Sequence, residues 1–170
     1  MEDKDEVLTI NTKTLKVENH WPVAPGTTPS GMAIDAIHHR LFVGCANKLM
    51  VMMDSENGRV IATAPIDEGA GDNAFDPGTG LVFSSCGKGT VIIAREETAD
   101  KLAVAQTLTT QPGARTLALD PATHKIYLAA GALKASAGQA AGSERQSSSM
   151  VPDGFKVLVY GMDEVVNSPR

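Results

Sequence analysis

The chain has 170 residues, of which 42% are hydrophobic and 21% charged, and its formal net charge is −5. This composition is typical of a globular protein with a sizeable core, and the lack of clustered Lys or Arg argues against nucleic acid as a partner. No apolar stretch approaches the roughly 20 residues that a membrane helix needs, so we expect no membrane contact either.

Short apolar runs separated by turn residues follow one another along the chain. Residues 6–23 predict two strands around a polar turn, and 28–67 and 71–110 predict four strands each. Residues 114–160 predict three more, interrupted at 131–154 by an insertion rich in Ala, Ser, Gly and Gln. No segment has sustained helical spacing of apolar residues, so we expect an all-β chain without a long helix.

The predicted strands repeat at a period of 41 to 44 residues. Aspartates at turn positions and aromatic residues in the next strand keep this spacing: Asp35, Asp76 and Asp120, and Phe42, Phe83 and Tyr127. Four strands per repeat of this length predict stacked, four-stranded antiparallel blades of a β-propeller. Within a blade, the strands are named A to D from the axis outward.

Four segments carry a resemblance to a known family: SGMAIDAIHHRLFVGC, KLMVMMDSENGRVIATAPI, NAFDPGTGLVFSSCGKGT and ARTLALDPATHKIYLAAG. Over about Glu6 to Tyr160 the chain resembles the YVTN-repeat β-propellers of bacteria. The resemblance implies a parent of about twice this length, usually with seven blades, of which this chain looks like the C-terminal part.

The expected location depends on which feature is given weight. The chain begins with MEDKDEVLTI, which is acidic and lacks the apolar centre of a secretory signal, and this favours the cytoplasm. Relatives of the resembling family are often exported, which implies a periplasmic or secreted location for a full-length parent.

The predicted strands amount to a little over three blades, an incomplete propeller. Residues 6–23 supply only strands C and D of a first blade, and 114–160 supply only A, B and C of a last one. Such a stack exposes apolar sheet faces and unpaired strand edges. We therefore expect self-association, most simply as a two-fold homodimer that covers them.

The connections from strand D to the next strand A lie near the propeller axis, on the face that usually carries function. They bring Ser30, Asp72, Asn73 and Arg115 to the start of innermost strands. These side chains either cap strand ends and hydrogen-bond neighbouring blades, or form a small polar ligand site at the channel mouth. The insertion at 131–154 emerges on the same face, as a lid, a partner-docking segment or a tolerated surface loop.

The histidines and cysteines do not predict a catalytic or metal site. His39 and His124 occupy the same turn position, on the face opposite the predicted site, and they lack metal-ligand spacing with an acidic partner. Cys45 and Cys86 fall at equivalent positions of adjacent blades, which pack about 10 Å apart. A disulfide needs a closer approach, so we expect free, buried thiols.

The leading functional hypothesis is a non-enzymatic scaffold that binds a protein or a small molecule on the loop face, without a cofactor. The alternative is a metal-dependent lactonase-like or esterase-like hydrolase, in which Asp72 and Asn73 help to hold Ca²⁺ at the channel mouth. A third interpretation is a fragment that is inactive without the missing blades. Fold alone does not decide among these, because propellers support many functions.

Overall fold

The computed structural model describes residues 1–133 and 150–162, which form 13 strands in four antiparallel sheets after a short 3₁₀ turn, η1 (Glu2–Lys4). Within these residues, no helix is long and apolar enough to cross a membrane. Most of the insertion predicted at 131–154 lies outside the described residues.

Each sheet pairs strands in chain order. The first sheet contains β1 (Glu6–Asn11) and β2 (Lys16–Pro22). The second contains β3 (Pro29–Asp35), β4 (Arg40–Cys45), β5 (Leu49–Asp54) and β6 (Val60–Pro65). The third contains β7 (Ala70–Asp76), β8 (Leu81–Cys86), β9 (Thr90–Thr98) and β10 (Lys101–Thr109), and the last contains β11 (Thr116–Asp120), β12 (Lys125–Leu133) and β13 (Met150–Tyr160). The prediction of an all-β, incomplete propeller is confirmed.

The hairpin that joins β12 to β13 extends into the predicted insertion. Leu133 pairs with Met150, so the ladder takes residues from both ends of 131–154. Gly, Ala and Asp residues at these ends have the composition of a loop. The ladder nevertheless accommodates them, with a register shift between Gly131 and Leu133.

An aspartate begins the turn between the first two strands of each of the last three sheets. Its Oδ1 accepts a hydrogen bond from the backbone N–H two residues further on, which stabilises the turn as predicted. The donor–acceptor distance is 3.0 Å in all three turns: Ile37 to Asp35, Gly78 to Asp76 and Ala122 to Asp120.

The same turns close on a residue with left-handed backbone geometry. His39 and His124 each have φ of 56°, and Gly80 has φ of 68° at the equivalent position. Glycine adopts this geometry without steric cost, whereas histidine accepts it in a minority of cases. The apparent mismatch of His and Gly in the repeat therefore reflects one shared backbone conformation.

The hydrophobic core consists of three layers, one between each pair of successive sheets. The middle layer includes Phe42 and Met52 from the second sheet and Val82 and Ile92 from the third. Phe42 also stacks on Phe75, with ring centroids 5.6 Å apart. These contacts show why a single sheet would not be stable alone: each buries its faces only against its neighbours.

Both cysteines are free and buried, as predicted. Cys45 belongs to the core layer between the first two sheets and Cys86 to the next layer. Burial, with a smaller contribution from the charge of Asp5, raises the pKa of Cys45 to about 11. Both thiols therefore act as packing groups rather than nucleophiles.

The inner strands approach one another closely at Gly71. A Cβ atom there would overlap the carbonyl oxygen and Cβ of Arg115, whereas a Cβ on Gly87 would meet its nearest neighbour at 3.4 Å. The inner end of the sheet stack therefore needs a residue without a side chain at position 71.

We expect Gly71→Ala to lower the free energy of unfolding by about 2 kcal/mol, because the added methyl group forces two inner strands apart. Urea unfolding monitored by circular dichroism measures the change. Gly87→Ala is the matched control and should be close to wild type. Equal losses in the two variants would contradict the close approach of the inner strands.

Candidate functional site

Asp72 joins two neighbouring inner strands. It lies in a register shift of β7 between Ala70 and Asn73, which leaves its backbone N–H outside the regular ladder. That N–H donates to the Arg115 carbonyl and to Ser85 Oγ, at 3.0 Å each. The Asp72 carboxylate accepts the backbone N–H of Leu117 at 3.1 Å, so both ends of the residue hold β11 against β7.

Arg115 and Asn73 also bond to other strands. The Arg115 guanidinium donates from Nη2 to the Ala70 carbonyl at 2.9 Å. Asn73 donates from Nδ2 to the Phe42 carbonyl, in the preceding sheet, at 3.0 Å. Its Oδ1 is buried without a hydrogen-bond partner among the described residues. These contacts link the second, third and last sheets near the axis.

Ser30 stands apart from this network. It is exposed near the start of β3, and no described residue hydrogen-bonds its side chain. Its neighbour Gly31 lies against the backbone of Gly71 and Asp72, so all four predicted residues lie near one another. Three of them form hydrogen bonds to other sheets, and linking neighbouring blades is one of the two roles that the sequence left open. The other role, binding a ligand, stays a prediction.

A metal site would need further ligands in the same place. Among residues 1–133 and 150–162, no group of three or more His, Cys, Asp and Glu side chains is placed to hold a metal ion. Asp72 and Asn73 already use part of their hydrogen-bonding capacity on the backbone of other sheets. The Ca²⁺ hypothesis therefore needs oxygen ligands in addition to Asp72 and Asn73.

A second polar cluster, which sequence reasoning missed, lies at the turn between β7 and β8. Asp76 is fully buried, and its Oδ2 accepts from the Thr79 hydroxyl and from Nδ1 of His124, both at 2.8 Å. His124 belongs to the last sheet, so this bond connects two successive blades. The only sequence signal was a histidine at a turn position where the preceding blade has Gly80.

The hydrogen bonds to Asp76 determine its charge. Burial raises the pKa of this carboxyl, but the bonds from Thr79, His124 and the Gly78 backbone outweigh it and hold the pKa below its usual value. Asp76 is therefore ionised at neutral pH. Asp35 is the corresponding residue of the preceding blade, and it bonds instead to His38 of its own turn at 2.6 Å.

Two grooves open beside these aspartates, on the face opposite the predicted site. The larger has a volume of about 380 Å³ and lies between the third and last sheets, beside His124. The smaller, of about 320 Å³, lies beside Asp35 and His38. Arg95 lines both grooves, and the side chains of Phe83 and other apolar residues form much of the larger one.

No family model and no curated relative matches this chain. Similar solved structures include Kuenenia stuttgartiensis hydrazine synthase, with a TM-score of 0.66 and 14% identity over 75% of this chain and 36% of that one. Saccharomyces cerevisiae Sqt1 has a TM-score of 0.60 and 14% identity, over 74% and 35% respectively. Both are β-propeller proteins, so the comparison supports the propeller fold and, at this identity, the fold alone. The chain spans only about a third of the length of each.

Asp76→Asn should lower the free energy of unfolding by about 2 kcal/mol at neutral pH, because it weakens charge-assisted bonds that join two sheets. The wild-type protein should lose stability as pH falls below about 4, where the unfolded carboxyl begins to take up protons before the folded one does. In Asp76→Asn this decline should be shallower. Urea titrations between pH 7 and pH 3 measure both effects.

Asp120→Asn is the matched control. Asp120 makes the same turn bonds, to the Ala122 backbone and the Thr123 hydroxyl, and both partners belong to its own turn. Its loss should be smaller than that of Asp76→Asn. If the two variants are equally stable, the His124 bond contributes nothing measurable.

Proposed function

We propose that this chain is a non-enzymatic interaction scaffold of the β-propeller type, of the YVTN-repeat kind, which binds through its open end sheets and self-associates. The observation that carries the proposal is the exposed apolar surface at both ends of the sheet stack. Contacts on the loop face around Ser30 and Arg115 remain a second part of the same hypothesis.

The first open surface lies on β3. Its residues alternate between buried and exposed, and Met32 and Ile34 are 51% and 55% exposed. They share a face with Leu41 and Val43, their partners on β4, which pack against the first sheet. The first sheet has only two strands among the described residues, so the inner part of this face lacks a cover.

The second open surface lies on the last sheet. Phe155, Val157 and Val159 alternate along β13 and are 61%, 54% and 51% exposed. Leu158 and Tyr160, on the opposite face of the same strand, pack into the core layer against the third sheet. A row of exposed apolar side chains on a regular strand is typical of a protein interface.

These two surfaces support a homodimer as the simplest assembly. A two-fold arrangement brings equivalent surfaces of two copies together and can remove both open ends from water. Burying a Val or Phe side chain contributes about 1.5–3 kcal/mol, so a few such residues suffice for specific association. The activity and partners of a longer parent are a separate hypothesis.

We expect the wild-type protein to sediment as a dimer and Val157→Lys to sediment as a monomer, because the charge falls in the centre of the open β13 face. Val104→Lys is the matched control, since Val104 is 37% exposed on the outer strand β10. It should leave the dimer intact. A wild-type monomer, or dimers in both variants, would contradict self-association through this face.

A calcium titration separates the scaffold from the hydrolase hypothesis. We expect no saturable rise in melting temperature with Ca²⁺, because the Asp72 carboxylate already accepts the Leu117 N–H and no group of three or more His, Cys, Asp and Glu side chains among the described residues is placed to hold the ion. Asp72→Ala should lower the melting temperature equally with and without Ca²⁺. A saturable rise that Asp72→Ala abolishes would favour the hydrolase instead.

A further inference from the structure

The turn between β5 and β6 contains Asn57 followed by Gly58, which is the one Asn-Gly pair in the sequence. Asn57 is exposed, and Gly58 is half-buried. In such a pair, the backbone nitrogen that follows asparagine can attack the side-chain amide. A glycine at that position leaves the approach unhindered because it has no Cβ. The pair is therefore a candidate site of spontaneous chemical modification.

The Asn57 side chain is held over the peptide group that would attack it. Its Oδ1 accepts the backbone N–H of Arg59 at 2.9 Å, which closes a ring of the Asx-turn type. Asn57 Cγ and the Gly58 nitrogen both belong to this ring, so the bond limits how far they can separate. The Arg59 N–H also polarises the amide carbonyl, and it would stabilise the negative charge that develops on Oδ1 during the attack.

A hydrogen bond of the Gly58 nitrogen opposes the attack. Its N–H donates to the Asp54 carbonyl at 2.9 Å, and the nitrogen reacts only when this bond opens. The Asp54 carboxylate helps to close the turn, since it accepts the backbone N–H groups of Glu56 at 2.8 Å and of Asn57 at 3.3 Å. The turn lies at the exposed end of a hairpin, where local opening costs less free energy than global unfolding. The folded protein should therefore react, although more slowly than the unfolded chain.

Gly58 also connects this turn to the first sheet. Its φ is 74°, and a Cβ atom at this position would overlap the indole ring of Trp21. Trp21 lies on β2 and packs against the core layer between the first and second sheets. A change in the backbone of the turn therefore acts directly on the contact between these two sheets.

We propose that Asn57 is a site of spontaneous deamidation and isoaspartate formation, which loosens the contact between the first and second sheets. The Gly58 nitrogen forms a bond to Asn57 Cγ, and the bond from Cγ to the side-chain nitrogen breaks. That nitrogen leaves as ammonia, with the proton that Gly58 loses. Water then opens the cyclic succinimide at either carbonyl, which gives aspartate or isoaspartate. The inference goes beyond the proposed scaffold function and does not depend on it.

The two products differ in their effect on the fold. Aspartate leaves the backbone unchanged and keeps an oxygen acceptor for the Arg59 N–H. Isoaspartate routes the main chain through the former side-chain carbons, which adds one methylene group before Gly58. Gly58 already lies so close to Trp21 that a longer turn must displace one of them. Isoaspartate is therefore the product that loosens the first sheet.

Incubation of the full chain at mildly alkaline pH tests the proposal. The tryptic peptide 49–59 contains Asn57 as its only asparagine, so mass spectrometry detects the exchange of –NH₂ for –OH, and chromatography separates the two products. Asn47 is the internal control. It is also exposed, but it precedes a lysine, and its side chain bonds to the Thr27 N–H and the Pro25 carbonyl. We expect modification at Asn57 to be at least about tenfold faster than at Asn47.

Trp21 is the one tryptophan of the chain, so its fluorescence reports the structural consequence. The emission should shift to longer wavelength in proportion to the isoaspartate content, because the indole gains contact with water. Asn57→Asp copies the product with the normal backbone, and it should emit like fresh wild type. Asn57→Gln keeps an amide but does not favour the small ring, so it should show neither the mass change nor the emission shift.

A pair of variants tests the role of turn opening. Asp54→Ala removes the carboxylate that helps to close the turn, so it should accelerate modification at Asn57. Asp120→Ala is the matched control, because it removes the equivalent carboxylate from a turn of the last sheet. It should leave the rate at Asn57 unchanged.

Two results would overturn the proposal. The first is an Asn57 that stays intact in the folded chain, whether or not the urea-unfolded chain is modified under the same conditions. The second is isoaspartate at Asn57 without a change in Trp21 emission, which would show that the sheets keep their contact.

Discussion

Apolar contact between the faces of successive sheets is the interaction on which this structure depends. A sheet that packs on both faces becomes stable only within a stack, and the central core layer, with Phe42 and Met52 on one side and Val82 on the other, shows this arrangement complete. Polar contacts then fix how the sheets meet. Asp72 and Arg115 join them near the axis, and Asp76 and His124 join them at the opposite ends of the strands. Hydrophobic burial is not directional, so these bonds define one relative position of neighbouring sheets.

The repeat in the sequence predicted most of the fold because the repeated residues stabilise structure within a single hairpin. Turn aspartates, residues with left-handed geometry and alternating apolar residues act within one hairpin, and each leaves a pattern that can be read without a partner. The free, buried thiols were predictable for a related reason, since equivalent positions of adjacent blades face the same kind of core. The length of the β12–β13 hairpin was not predictable, because Gly131 and its neighbours resemble loop residues in composition.

The site was harder to predict because its contacts cross between blades. The proximity of Asp72, Asn73 and Arg115 followed from the propeller topology, but their partners are mainly backbone carbonyl and N–H groups, which every sequence possesses. The Asp76–His124 bond joins residues that lie 48 positions apart. Asp35 offers no precedent for it, because its partner His38 lies in the same turn. A sequence repeat predicts the contacts that are the same in every blade, whereas the Asp76–His124 bond has no equivalent at Asp35.

Glycines on the inner strands have a consequence for the curvature of the whole assembly. A side chain on Gly31 would strike the backbone of Gly71, and one on Gly71 would strike the backbone of Arg115, so three consecutive inner strands nearly touch. At the outer side, Ala64 of β6 and Leu102 of β10 are buried in the core layer between the second and third sheets. The absence of side chains at Gly31 and Gly71 allows the inner strands to lie close together. The angle between neighbouring sheets determines how many blades complete a circle, so we expect these two glycines to influence the blade number of any closed ring built from this repeat.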